Sequence, residues 1–193
     1  MATPDRRAPG RAQRIDARTN RVRILDVAEE VFGKAGRSAS TEEVARLAEV
    51  GIATVFRHFP TKAPLVEAVL VRRFDRLRDH AESLLHAPDP GTAFFDFFTH
   101  LVADAATKIA IGEALADLTA HTDDSPAAQS SLALRRAFAA LLRRAQQAGA
   151  VRPDAELPEV YALLVATSRT TTHLEPDTRT RMLTILFDGL TPH

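Results

Sequence analysis

Apolar residues return every three or four positions along most of this chain, and glycine, proline and capping residues cut the pattern into helix-length segments. The first segment runs from Thr19 to Ala35, with Ile24, Ala28 and Phe32 four residues apart and Leu25 and Val31 widening the stripe. Gly36 suits its C-terminal stop. A second, shorter segment opens on Ser40, a natural N-cap, with Glu43 three residues on to complete a capping box. Val44, Leu47 and Ala48 form its buried face. A third spans Ile52 to Phe59, with Ile52, Val55, Phe56 and Phe59 at i, i+3, i+4 and i+7, and Pro60 ends it. Thr61 then caps a long fourth helix whose inward face is Val66, Leu70, Phe74, Leu77, Ala81 and Leu84.

Beyond Pro88-Asp89-Pro90-Gly91 the period stays helical. Phe94, Phe98, Leu101, Ala105 and Ile109 line a fifth helix, and a shorter sixth follows from Glu113 to Ala120. The seventh carries Leu134, Phe138, Leu141, Leu142 and Ala145 and ends near Gly149. Pro158 starts an eighth with Tyr161, Leu164 and Val165, and Pro176 precedes a ninth with Met182, Leu183, Leu186 and Leu190. Alternating β-branched residues are scarce and no internal repeat is visible. The expected fold is all-α, about nine helices with a compact triplet in front.

Composition narrows the function. The chain is 45% apolar and 26% charged, ordinary globular material. It has no cysteine, which removes disulfides, thiolate metal sites and cysteine nucleophiles. No apolar run reaches the ~18 residues of a membrane span, and the arginine-rich start lacks the apolar core of a secretory signal. A cytoplasmic protein is expected. The formal net charge is zero, but residues 1–62 hold 12 Lys/Arg against 8 Asp/Glu, and residues 63–193 hold 13 against 17. A basic front and an acidic back suit a protein that offers one end to phosphates. Met1 to Ala17 sets Arg6, Arg7, Arg11 and Arg14 among Pro4, Pro9 and Gly10, and reads as a disordered basic arm. Such an arm is either an idle tail or a contact reaching into a minor groove or along the DNA backbone.

The most informative stretch is Ser40–Lys62, S-T-E-E-V-A-R-L-A-E-V-G-I-A-T-V-F-R-H-F-P-T-K. Two helices this short are unstable alone, and the pair suits a helix-turn-helix whose second member enters a DNA major groove. With I-L-D-V-A-E-E-V-F-G-K-A-G before it, the stretch resembles the TetR/AcrR family of transcriptional regulators. The first helix matches that family's I-L-x-A-A-x-x-L-F-x-x-x-G, and G-I-A-T-V-F-R-H-F-P-T-K resembles its S-x-G-T-L-Y-x-H-F-x-x-K. The likeness covers the first third; beyond it only the helix count and the A-Q-Q-A-G-A-V-R-P-D turn are similar.

The resemblance implies a basic arm over 1–17, a DNA-binding domain over 18–64 and a helical effector-binding and dimerisation domain over 65–193. It implies a homodimer on double-stranded DNA, its last two helices bundled across the two-fold axis and its third helices about 34–36 Å apart on a near-palindromic operator. It also implies a repressor released by a small-molecule effector, with no cofactor. Two residues depart from the family pattern. Glu49 stands at a turn position usually held by Gly, often at positive φ, and Phe56 stands where a Tyr hydroxyl commonly meets a phosphate.

Candidate DNA contacts follow from residue type and place. Thr41 opens the second helix, where a hydroxyl suits a phosphate, and Lys62 matches the family lysine beside the backbone. Gly51, Ala53 and Thr54 are small enough to let the third helix approach the bases, and Ala53 and Thr54 suit thymine methyls. Phe56 keeps its ring for packing on the DNA side, and Arg57 and His58 are placed on the outward face. Ile52, Val55, Phe59, Ile24 and Phe32 are left to the core.

In the second domain His100, Asp104 and Phe98 are the ligand candidates. The simpler alternatives are a solvent stripe of His100, Asp104 and Lys108 with an Asp104–Lys108 pair, and core packing for Phe94, Phe95, Phe97 and Phe98. His121 and His173 have no neighbours at metal-ligand spacing, and Glu82 and His86 lack a third partner, so no metal is expected. A DNA-binding protein without an effector, or one controlled by a partner, shares every front-end feature. An α-helical enzyme is the remote alternative, and no nucleophile–base pair or phosphate loop supports it.

Overall fold

The computed structural model describes residues 11–116, 124–170 and 174–192, and at 11–15, 106, 108 and 113–116 the backbone alone. Among them are eight α-helices, one 3₁₀ turn and no strand. The helices are α1 (Arg11–Ala35), α2 (Thr41–Leu47), α3 (Ile52–His58), α4 (Lys62–Leu84), α5 (Pro90–Ala116), α6 (Pro126–Gln147), α7 (Leu157–Thr170) and α8 (Pro176–Leu190). The 3₁₀ turn, Gly36–Ser38, follows α1.

Two boundaries differ from those expected. α1 begins at Arg11, not Thr19, so the latter part of the expected arm continues the helix; Met1–Gly10 lie outside the described residues. The added turns carry no apolar stripe, but Arg, Ala and Gln are good helix formers and need only extend a helix nucleated downstream. The expected fifth and sixth helices are continuous up to Ala116, because Gly112 weakens a helix by only about 1 kcal/mol. The rest of the expected sixth, with His121, and the isolated His173 lie outside the described residues.

α1, α2 and α3 form a small triplet, and α4 leads from it into a body of α5–α8. α4 packs most extensively on α6, and α5 touches α1, α4, α6 and α7. The core is continuous from Ile24 and Phe32 through Val66 and Leu70 to Phe94, Phe98 and Phe138. Around Phe138 the rings of Phe94, Phe97 and Phe98 lie with centroids 5.6–6.3 Å away, so the phenylalanine run of α5 is core, the simpler of its two expected roles.

A cluster of charges joins triplet to body. Arg73 of α4 is buried, 6% exposed. Its Nη1 donates to Glu29 of α1 at 2.7 Å, and its Nε to Asp104 Oδ2 of α5 at 2.8 Å. Its Nη2 bonds the other Asp104 oxygen and, at 3.1 Å, the Asp104 backbone carbonyl. Arg76 also pairs with Glu29, and Arg72 with Asp26. Asp104 therefore turns inward to α4 and leaves the expected solvent stripe; the Lys108 side chain lies outside the described residues.

Candidate nucleic-acid interface

The turn between α2 and α3 is set by how α2 ends. Glu49 N–H donates to the Arg46 carbonyl at 3.2 Å, and Val50 N–H to the Ala45 carbonyl at 3.1 Å. These are the paired bonds of a Schellman motif, which puts its C′ residue in the left-handed region. That residue is Glu49, at φ 53°, the only non-glycine with positive φ among the described residues. The same motif closes α6, where Gly149 at φ 73° does the job without strain. Left-handed geometry costs an L-residue roughly 1–2 kcal/mol, partly offset by the larger chain entropy glycine loses on folding. Glu49→Gly is therefore expected to raise stability by about 0.5–1 kcal/mol, read from the urea midpoint. A lowered midpoint would show that the Glu49 side chain contributes something the turn geometry does not.

The start of α2 is held as expected at Ser40, whose Oγ accepts from Glu43 N–H at 3.1 Å. Thr41 is different. It is only 7% exposed, on a helix that packs against α1. Thr61 occupies the N-cap of α4 but makes no side-chain cap bond.

α3 has two turns and one buried side. Val55 is fully buried and Phe59, its C-cap, is 3% exposed, both in the core that α1 and α2 share. Ile52 (37% exposed) and Phe56 (41%), with exposed Ala53 and Arg57, fall on one continuous opposite side. Ile52 and Leu47 were expected in the core and are not there; helices of two turns backed mainly by α1 can bury only a narrow stripe. Exposed Gly51 precedes this face, and Thr54 and His58 are half-buried on its flanks. His58 leans toward Phe59, with ring centroids 6.4 Å apart. Partial burial, then the charges of Arg21 and Arg57, lower its pKa from the ordinary imidazole value.

Lys62 turns inward as well. Its Nζ donates to the Arg37 carbonyl at 3.1 Å and lies 5.6 Å from the centre of the Phe32 ring. It fastens the start of α4 to the 3₁₀ turn after α1. Arg21, over the Phe59 ring at 4.7 Å, adds a cation from α1 that spacing alone did not single out.

The body contains a cavity of about 190 Å³ between α4, α5, α6 and α7. Leu77, Leu101, Leu134, Phe138 and Leu164 give it an apolar wall, and Asp104, Arg135, Tyr161 and Arg169 a polar one. Of the three ligand candidates only Asp104 lines it. Phe98 is buried in the aromatic core, 5.5 Å from the Phe187 centroid, and His100 sits on the outer face, 5.0 Å from the His80 ring. Arg135 and Tyr161 were missed as lining residues. The available signal was helical spacing from apolar residues, Arg135 three before Phe138 and Tyr161 three before Leu164.

Comparison with known proteins places both parts. The family model for bacterial regulatory proteins of the tetR family matches residues 24–69. One described as the C-terminal domain of SbtR-like transcriptional regulators matches residues 89–192. A crystal structure of a TetR transcription regulatory protein from Mycobacterium vanbaalenii is 37% identical, covers 93% of this chain and 99% of its own, and superposes with a TM-score of 0.76. A TetR transcriptional regulator from Streptomyces coelicolor is 30% identical over 89% of this chain and 98% of its own, with a TM-score of 0.73. The HTH-type transcriptional regulator UidR of Escherichia coli K12 is 25% identical over 158 residues, 78% of each chain.

Proposed function

Because the chain belongs to the TetR family and is a DNA-binding transcriptional regulator, not an enzyme, we propose that it acts as a homodimeric repressor released from DNA by a small molecule. The DNA-binding domain is residues 18–64, and 65–193 bind the effector and the second copy. The observation that carries the DNA contact is the free side of α3: Ala53, Phe56 and Arg57 stand exposed while Val55 is locked in the core. In this reading Gly51, Ala53 and Thr54 meet base edges, Phe56 packs against the sugar–phosphate wall, and Arg57 reaches phosphate or a guanine edge. His58 contributes a hydrogen-bonding ring at the flank. Lys62 supplies charge near the backbone from its anchored position. Leu163 (42% exposed) and Ile185 (72%), on α7 and α8, support a second copy as partner. No helix among the described residues is long and apolar enough to cross a membrane, and binding to DNA in this reading implies work in the cytoplasm.

The cavity favours effector control over an effector-less regulator, since a solid core would serve the latter. The test is selection of bound genomic fragments, followed by titration over a range of salt. Affinity is expected to fall linearly on a log–log plot against salt. Fragments bound with no salt dependence, or no bound fragment at all, sink the reading. Lys62→Met is expected to weaken binding to every sequence and flatten the salt slope by about one. It also loses the Arg37 bond, so the thermal midpoint is measured alongside to separate the two effects.

A further inference from the structure

The cavity wall has a definite electrostatic sign. Among the described residues the one carboxylate in the lining, Asp104, has both oxygens taken by Arg73, which leaves it little negative field for an occupant. Arg135 lines the same space, and its guanidinium carbon lies 4.6 Å from the centre of the Tyr161 ring, which also lines it. Among the described residues no carboxylate pairs with Arg135. A planar guanidinium held over an aromatic face keeps its edge N–H groups for a bidentate acceptor. Arg169 adds a second cationic side chain to the lining. The rest of the lining includes Leu77, Leu101, Leu134 and Phe138.

We propose that this cavity binds a small amphipathic carboxylate, its apolar body against Leu77, Leu134 and Phe138 and its anion on Arg135. The proposal rests on the small-molecule reading above and specifies its chemistry. The size follows from the volume. A dry cavity of about 150 Å³ takes up benzene, so 190 Å³ accepts an apolar body of about five to eight carbons. Asp104 adds selectivity, because an occupant's cation would compete with Arg73 for it while an anion leaves that pair alone.

Tyr161 is the only tyrosine and the chain has no tryptophan, so intrinsic fluorescence reports on this cavity. The full-length protein is titrated with hexanoate, hexanamide and hexylamine, which share an unbranched six-carbon skeleton and differ in charge. Hexanoate is expected to bind saturably and at least about tenfold more tightly than the amide or the amine. Arg135→Gln is expected to abolish that preference with an unchanged thermal midpoint, since Arg135 is exposed. Equal or tighter binding of hexylamine or hexanamide overturns the proposal, as does hexanoate binding that Arg135→Gln leaves unaltered or no saturable binding by any of the three. DNA anisotropy on the same samples separates this from the parent reading. Hexanoate bound with the DNA complex intact removes release by this ligand while the carboxylate site stands. Salt-sensitive DNA binding with no hexanoate bound leaves the regulator standing and removes the carboxylate.

Discussion

Replacing Arg73 by methionine is expected to lower stability by about 3–5 kcal/mol, the usual loss when one partner of a buried ion pair is removed. The size comes from what remains. Arg73 bonds Asp104 through both its oxygens and its carbonyl, and Glu29 besides, while only 6% exposed. Without it Glu29 keeps Arg76, but Asp104 is left as a carboxylate whose side chain is only 19% exposed. Urea denaturation measures the loss, and the double variant Arg73→Met, Asp104→Leu is the control. Removing both charges should recover much of what the single variant loses, because the penalty lies in the stranded carboxylate more than in the lost attraction. A single-variant loss below about 1 kcal/mol would mean that water reaches Asp104 freely. Arg73 and Asp104 connect Glu29 on α1, in the helical triplet, to a wall of the cavity.

That junction also marks where sequence reasoning reaches its limit. Periodicity sees neighbours three and four residues away, so Asp104 was paired with Lys108. Its actual partner is 31 residues back, on a helix brought alongside by tertiary packing. The burial of Thr41 was hidden for a related reason: a threonine in a first turn reads as polar surface until neighbouring helices are packed around it. Leu47 and Ile52 failed the other way, as apolar residues at helical spacing on helices too short to bury them. Local backbone physics was legible. Ser40 caps α2 where its spacing to Glu43 requires, and the strained turn was located at Glu49 by its place in the motif. The apolar faces of the long helices were legible too, since Phe74, Leu77, Phe98 and Leu142 each extend a stripe many turns long, and all are buried. The cavity was not, because a void is set by how four helices meet.

The other large effect expected is on DNA. Ala53→Glu should weaken operator binding by more than about 100-fold without harming the fold, because like charges juxtaposed at an interface cost several kcal/mol. Ala53 is the second residue of α3 and is exposed, so the substitution meets no packed neighbour. A carboxylate in the first turn of a helix is mildly stabilising, by about 0.3–1 kcal/mol, so the thermal midpoint should hold or rise. On the proposed DNA face the same carboxylate enters a groove walled by phosphates, about one charge per 1.7 Å of duplex. Ala53→Gln separates charge from bulk, because it adds the same length without the repulsion and should lose far less. The two variants, titrated on one operator fragment at one salt concentration, give four separable outcomes. Loss with Glu alone marks electrostatic exclusion from the groove, and equal loss with both marks a steric limit on how closely α3 approaches the bases. Loss with Gln alone is not expected from either cause. Unchanged binding by both would remove α3 from the DNA, and with it the roles proposed for Gly51, Thr54, Phe56 and Arg57.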